Sequence, residues 1–115
     1  MVCDEEYNSL IKATERLHEL YYQQESADAE FSNVRNRIQD HLIASGLARL
    51  VNASPAEIVY SLEGSSEEWL VSLHDAAVVK VQADVGVLAA EESYRYASQR
   101  YEDCIKGITN TQENL

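Results

Sequence analysis

Apolar and small residues recur at steps of three and four along two long stretches of this chain. One series runs Tyr7, Leu10, Thr14, Leu17, Tyr21, Gln24, Asp28, Phe31, Arg35, Ile38, Leu42. The other runs Trp69, Leu73, Ala76, Lys80, Ala83, Val87, Ala90, Tyr94, Ala97, Tyr101, Cys104, Ile108. This spacing marks one face of a packed helix. It predicts an all-α fold: a long antiparallel helical hairpin with a short connecting helix, completing a four-helix bundle by dimerisation. The expected elements are a long helix over about 4–45, a short one over about 55–63 and a second long one over about 66–107, all within a single helical domain, 1–115. A helix of roughly 40 residues is about 60 Å long, which itself points to a coiled coil or bundle.

Local signals set the expected ends. Asp4, Glu5 and Glu6 suit the positive end of the first helix, and Gly46 weakens its far end. Ser54-Pro55-Ala56-Glu57 is a restart, with a capping serine, a proline at the first helical position and a glutamate placed for a capping box. Gly64 stops the short helix. Ser65 or Ser66 is the expected cap of the last helix and Gly107 its terminator, with residues 109–115 frayed. Gly86 interrupts that helix at a cost of about 1 kcal/mol against alanine, for close helix contact or a slight bend.

In an antiparallel hairpin, facing positions share a nearly constant sum of residue numbers. A sum near 108 pairs Tyr7 with Tyr101, Leu10 with Ala97, Thr14 with Tyr94 and Tyr21 with Val87. It sets Phe31 by Ala76 or Ala77 and Ile38 by Trp69 or Leu70, so that large residues meet small ones. It also brings Asp28 opposite Lys80, the conspicuous charges of the two series, as an expected register-setting pair.

More apolar surface is present than one seam uses. Leu70, Val78, Val81, Val85 and Leu88 lie beside the last helix's stripe, and Ile11, His18 and Tyr22 widen the first. Ile58, Val59 and Leu62 are placed to cover part of it. The remainder favours a homodimer or a heteromer. Of seven tyrosines, Tyr7, Tyr21, Tyr94 and Tyr101 belong to the seams, while Tyr22, Tyr60 and Tyr96 are less committed. Each joins apolar area to a hydroxyl, and the binding surface is placed around Tyr22 and Tyr96. The candidate protein-binding residues are therefore Tyr22, Tyr96, Val78, Val81, Val85 and Leu88.

Charge narrows the partners. Twenty acidic residues against nine basic ones give a net charge of -11. That argues against direct contact with nucleic acid or with an anionic membrane, and for a basic protein partner if charge guides binding. No apolar stretch is long enough to span a bilayer. The opening Met1-Val-Cys-Asp-Glu-Glu is acidic where a secretory leader needs basic and then apolar residues, so a cytoplasmic location is expected. Cys3 and Cys104 fall near the same end of the hairpin; a bond is geometrically open to them, and reduced thiols are the expectation for a cytoplasm.

Candidate chemistry is sparse. Glu15 and His18 have the three-residue spacing of carboxylate-bridged metal bundles, and the register puts Glu91 and Glu92 at their level, but a second such pair is absent. His41 and His74, beside Asp40 and Asp75, lie near the opposite end as a weak metal or phosphotransfer candidate. No nucleophile has an evident base, and no phosphate loop, paired-cysteine zinc motif or calcium loop occurs. The expectation is a non-enzymatic adaptor, chaperone-like or assembly protein without cofactor or metal, which binds or masks a protein partner or self-associates. The alternatives are an acidic inhibitor that mimics nucleic-acid phosphates toward a basic protein, and a small helical-bundle metal protein or enzyme.

Overall fold

The computed structural model describes the backbone of residues 2–113 and the side chains of residues 2–108. The fold is all-α. In chain order it has α1 (Asp4–Ala44), a short 3-10 turn (Ala48–Val51), α2 (Pro55–Leu62) and α3 (Glu68–Glu113). The chain packs as two compact units. Unit 1 combines the described parts of 1–21 and 86–115, and unit 2 is Tyr22–Val85.

Unit 2 holds the larger core. Phe31, Val34 and Leu42 of α1 pack with Leu70, Leu73, Ala76 and Ala77 of α3. Leu50, Ala53, Ile58 and Leu62 join the same cluster, so the 3-10 turn and α2 cover apolar surface that the helix pair leaves open, as the side surface of the sequence required. The turn out of α1 is a Schellman motif. Gly46 takes φ +80°, its N–H donates to the Ile43 carbonyl at 3.2 Å, and the Leu47 N–H donates to the Leu42 carbonyl at 2.8 Å. Leu47 then packs on the core, which is the apolar contact this motif favours. Ser54 caps α2 by accepting the Glu57 N–H at 3.2 Å, with Pro55 at the first helical position. Arg35 donates from Nη1 to the Ala53 carbonyl at 2.7 Å while its guanidinium lies over the Phe31 ring, tying α1 to the connection.

Unit 1 has a thin core of Leu17, Leu20, Val87 and Ala90, with Ala97 also buried. The ring centroids of Tyr7 and Tyr101 lie 5.5 Å apart. A disulfide joins Cys3 to Cys104, their Cα atoms 6.0 Å apart. The reduced pair expected from sequence is thereby corrected: antiparallel pairing brings residues 101 apart in sequence within bonding range.

The register is the predicted one. Tyr7 against Tyr101 in unit 1, and Asp28 against Lys80 in unit 2, both carry the sum of 108. The stripe of α1 differs at alternate rungs. The buried residues are Leu20, Ala27 and Val34, each one position before the expected Tyr21, Asp28 and Arg35. A contact face is more than one residue wide, so the apolar neighbour takes the centre. The long polar side chain sits at the edge with its head toward water.

The ends of α3 also differ. It begins at Glu68, so Glu67 and neither serine stands at the cap position. The Glu67 carbonyl accepts the Leu70 and Val71 N–H groups, and its carboxylate accepts Trp69 Nε1–H at 2.8 Å. Gly107 does not end the helix, which continues to Glu113, because it lacks the positive φ that a glycine terminator adopts. Positions 114 and 115 of the expected frayed end lie outside the described residues. A Cβ built on Gly86 would meet Leu20 at 3.9 Å, an ordinary contact, so close approach does not require this glycine.

Candidate functional site

Three places carry the chemistry predicted from sequence or found beyond it. The first is a charged cluster in unit 2. Lys80 reaches both Asp28 and Asp84, and Gln24 Nε2 donates to the same Asp84 oxygen at 2.8 Å. The lysine side chain is only 14% exposed, while Asp28 is 54% exposed. Burial by itself lowers the lysine pKa. Hydrogen bonds to Asp28 and Asp84 and their charges outweigh it and hold the pKa above its ordinary 10.5. Burial likewise raises the Asp84 pKa, and the hydrogen bonds from Lys80 and Gln24, with the lysine charge, bring it below 3.8. Asp84 was legible as a partner of Lys80, since it lies one helical turn further along α3.

The second place is the set of apolar residues that the core leaves out. In unit 2, Tyr22 is 74% exposed and Val85 60%, while Val78 and Val81 are half-buried. In unit 1, Leu88 is 66% exposed and Tyr96 67%. Arg100 lies over the Tyr96 ring at 5.8 Å. Val79 and Tyr60 are also exposed and lie outside the candidate binding set. Val79 follows the candidate Val78 directly on α3, and Tyr60 lies on the outer side of α2.

The third place is at the disulfide. Donor atoms of Cys3, Glu6 and Cys104 all lie within 4.8 Å of one another. Cys3 is buried, Cys104 half-buried, and the Glu6 side chain 24% exposed. Cys3 stands just before α1 with φ +73°, Glu6 lies in the first turn of α1, and Cys104 comes from α3. Arg100 Nη2 approaches Glu6 Oε1 at 4.0 Å. Beside the disulfide is a cavity of 140 Å³ lined by Val2, Cys3, Asp4, Tyr7, Tyr101 and Ile105. The sequence signal for this group is the register, which sets Cys3 and Cys104 near one end; sequence alone marks Glu6 only as a helix-end acid.

Among the described residues, the metal grouping weighed from sequence does not assemble. Glu15, His18 and Glu92 are exposed, and these residues do not converge with Glu91 as donors. Glu91 instead lies beside Tyr21. Desolvation, and then the Glu91 charge and hydrogen bond, push that phenol above its ordinary 10.0. The His41 ring packs on Trp69 with centroids 4.1 Å apart, and His74 Nδ1 is 3.3 Å from Asp75. No helix of the described residues is long and apolar enough to cross a membrane. Comparison with protein-family models, curated proteins and solved structures gave no match.

Proposed function

We propose that this chain is a non-enzymatic helical module that binds a protein partner, with a second copy or a different protein completing the bundle. The observation that carries this reading is the exposure of large apolar side chains that neither core covers: Tyr22 and Val85 in unit 2, Leu88 and Tyr96 in unit 1. Tyrosine anchors and aliphatic area suit the centre of an interface, and the acidic surroundings suit a selective rim. Exposed apolar residues of this kind on each unit support an adaptor, chaperone-like or assembly role. The Cys3–Cys104 bond supports an oxidising surrounding in place of the cytoplasm expected from sequence.

The test is the intact mass of the native complex purified from its source, with every subunit identified. A mixed complex or a homodimer that Tyr96→Lys or Val85→Lys disperses supports the reading. A monomer without partners, indifferent to both changes, counts against it. A basic partner released by moderate salt moves the assignment to phosphate mimicry.

A second reading, a small helical metal protein, is favoured by one observation. Cys3, just before α1, Glu6 of α1 and Cys104 of α3 converge as soft and hard donors. Metal analysis of protein purified under reducing conditions tests it. Metal-free protein that takes up no added zinc or cobalt argues against it.

A further inference from the structure

We propose that Cys3, Cys104 and Glu6 form a thiol-gated site for a divalent cation of the zinc class, closed while the two cysteines are bonded and opened by their reduction. This rests on the metal-protein reading and adds to it the state in which metal is held. Thiolates, and not disulfide sulfurs, are strong metal ligands, so the bonded pair offers the cation little. A tetrahedral zinc ion with Zn–S of about 2.3 Å needs its two sulfurs ~3.8 Å apart. Side-chain rotation after reduction supplies that separation, because the Cα atoms stand 6.0 Å apart and the donor atoms, Glu6 included, already lie within 4.8 Å. Solvent fills the fourth position at this half-exposed edge.

The charges fit a dication. Two thiolates and the Glu6 carboxylate carry three negative charges, and Arg100 at 4.0 Å offsets one. The two that remain match one divalent ion. Asp4 and Glu5, and Glu102 and Asp103, flank the ligands in sequence and add to the attraction for a cation.

The step balances with a dithiol as reductant. Its two sulfurs form their own disulfide, and its two electrons and two protons pass to Cys3 and Cys104. Metal binding then displaces both thiol protons to solvent. Metal in turn protects the thiols from reoxidation, so oxidant and cation compete for the same two sulfurs.

The experiment uses the full chain, oxidised or reduced with dithiothreitol and desalted without oxygen, titrated with Co²⁺ as the probe. The reduced protein is expected to bind one equivalent with a thiolate-to-cobalt charge-transfer band that Zn²⁺ bleaches, and the oxidised protein to show none. Cys104→Ser is expected to abolish the band. Glu6→Gln is expected to weaken binding by at least about tenfold, since a direct ligand counts for no less than the hydrogen-bonding partners of ligands, whose loss costs that much. Zn²⁺ should also raise the melting temperature of the reduced protein, a readout that survives loosening of the chain on reduction. Absence of both the band and the thermal shift overturns the site and the metal reading together. Equal cobalt binding by oxidised protein, or by the reduced Cys104→Ser variant, leaves a metal protein with other ligands and overturns the gated site.

Discussion

Replacing both cysteines, Cys3→Ala with Cys104→Ala, is expected to destabilise unit 1 far more than its buried surface suggests. That core rests on Leu17, Leu20, Val87 and small alanines, so little apolar area opposes opening. The cross-link spans 101 residues in sequence. The loop-closure relation gives ~4.7 kcal/mol at 25 °C for a loop of that size when the whole chain unfolds. If unit 2 stays folded, the loop released is about 40 residues, and the same relation gives ~4 kcal/mol. At about 2.1 cal/mol/K of unfolding entropy per residue, the larger figure is a fall of ~20 °C in Tm for 115 residues. Thermal melting in the presence of a chelator measures the sum, and amide hydrogen exchange locates it. Protection should collapse over the unit 1 segments of α1 and α3 and persist around Leu42, Leu50, Ile58 and Leu73. A fall of less than about 5 °C with unit 1 protection unchanged would refute the argument that the disulfide, and not the core, holds that helix pair.

Four further outcomes are expected. Gly86→Ala should raise stability by about 1 kcal/mol, since the added methyl makes only an ordinary contact with Leu20 and the helix loses its most flexible residue; destabilisation on chemical denaturation would show a strained site. Leu73→Ala, at a fully buried position of unit 2, should cost about 3–5 kcal/mol, and a loss under 1 kcal/mol would mean that the core is not packed there. The Lys80 cluster should give a stability plateau. Asp84 has a lowered folded pKa, so its contribution holds above about 3.8 and is lost as pH falls through the folded value. Lys80 has a raised one, so its contribution holds below about 10.5 and is lost as pH rises through the folded value. Lys80→Met should flatten both limbs of Tm against pH, and unchanged limbs would assign them to other groups. The pair's role in register is separately checked by Asp28→Lys combined with Lys80→Asp. With Asp28 half in solvent, Asp28→Lys alone should cost no more than about 1 kcal/mol. Lys80→Asp alone should cost more, because it sets a third carboxylate beside Asp28 and Asp84 at a site only 14% exposed, and adding Asp28→Lys should recover part of that loss while Asp84 stays opposed. A double variant no better than Lys80→Asp alone removes the register role.

Helix positions, the antiparallel register and the meeting of Asp28 with Lys80 were legible because they depend on periodicity, which any helical neighbour reads in the same way. The centre of the α1 stripe was legible too, had apolar character been weighed at each rung. Leu20, Ala27 and Val34 each precede the polar residue that the seven-residue series picked out. The end of α3 was less so. A glycine permits a stop without compelling one, and Gly107 keeps helical dihedrals where Gly46 does not.

Tertiary structure alone decided the chemistry at the chain's first turn. Sequence placed Cys3 and Cys104 at one end, but whether two thiols bond depends on Cα separation and side-chain direction, which a register accurate to one residue leaves open by several ångströms. Glu6 became a third donor only because one turn of α1 lifts it beside that bond. The separation of the chain into a unit with a filled core and a unit held by a cross-link is likewise tertiary. Periodicity is local and repeats with little change along both long helices, whereas burial depends on what else packs there. In unit 2 that includes α2 and the 3-10 turn, and in unit 1 the paired segments of α1 and α3 have a disulfide instead.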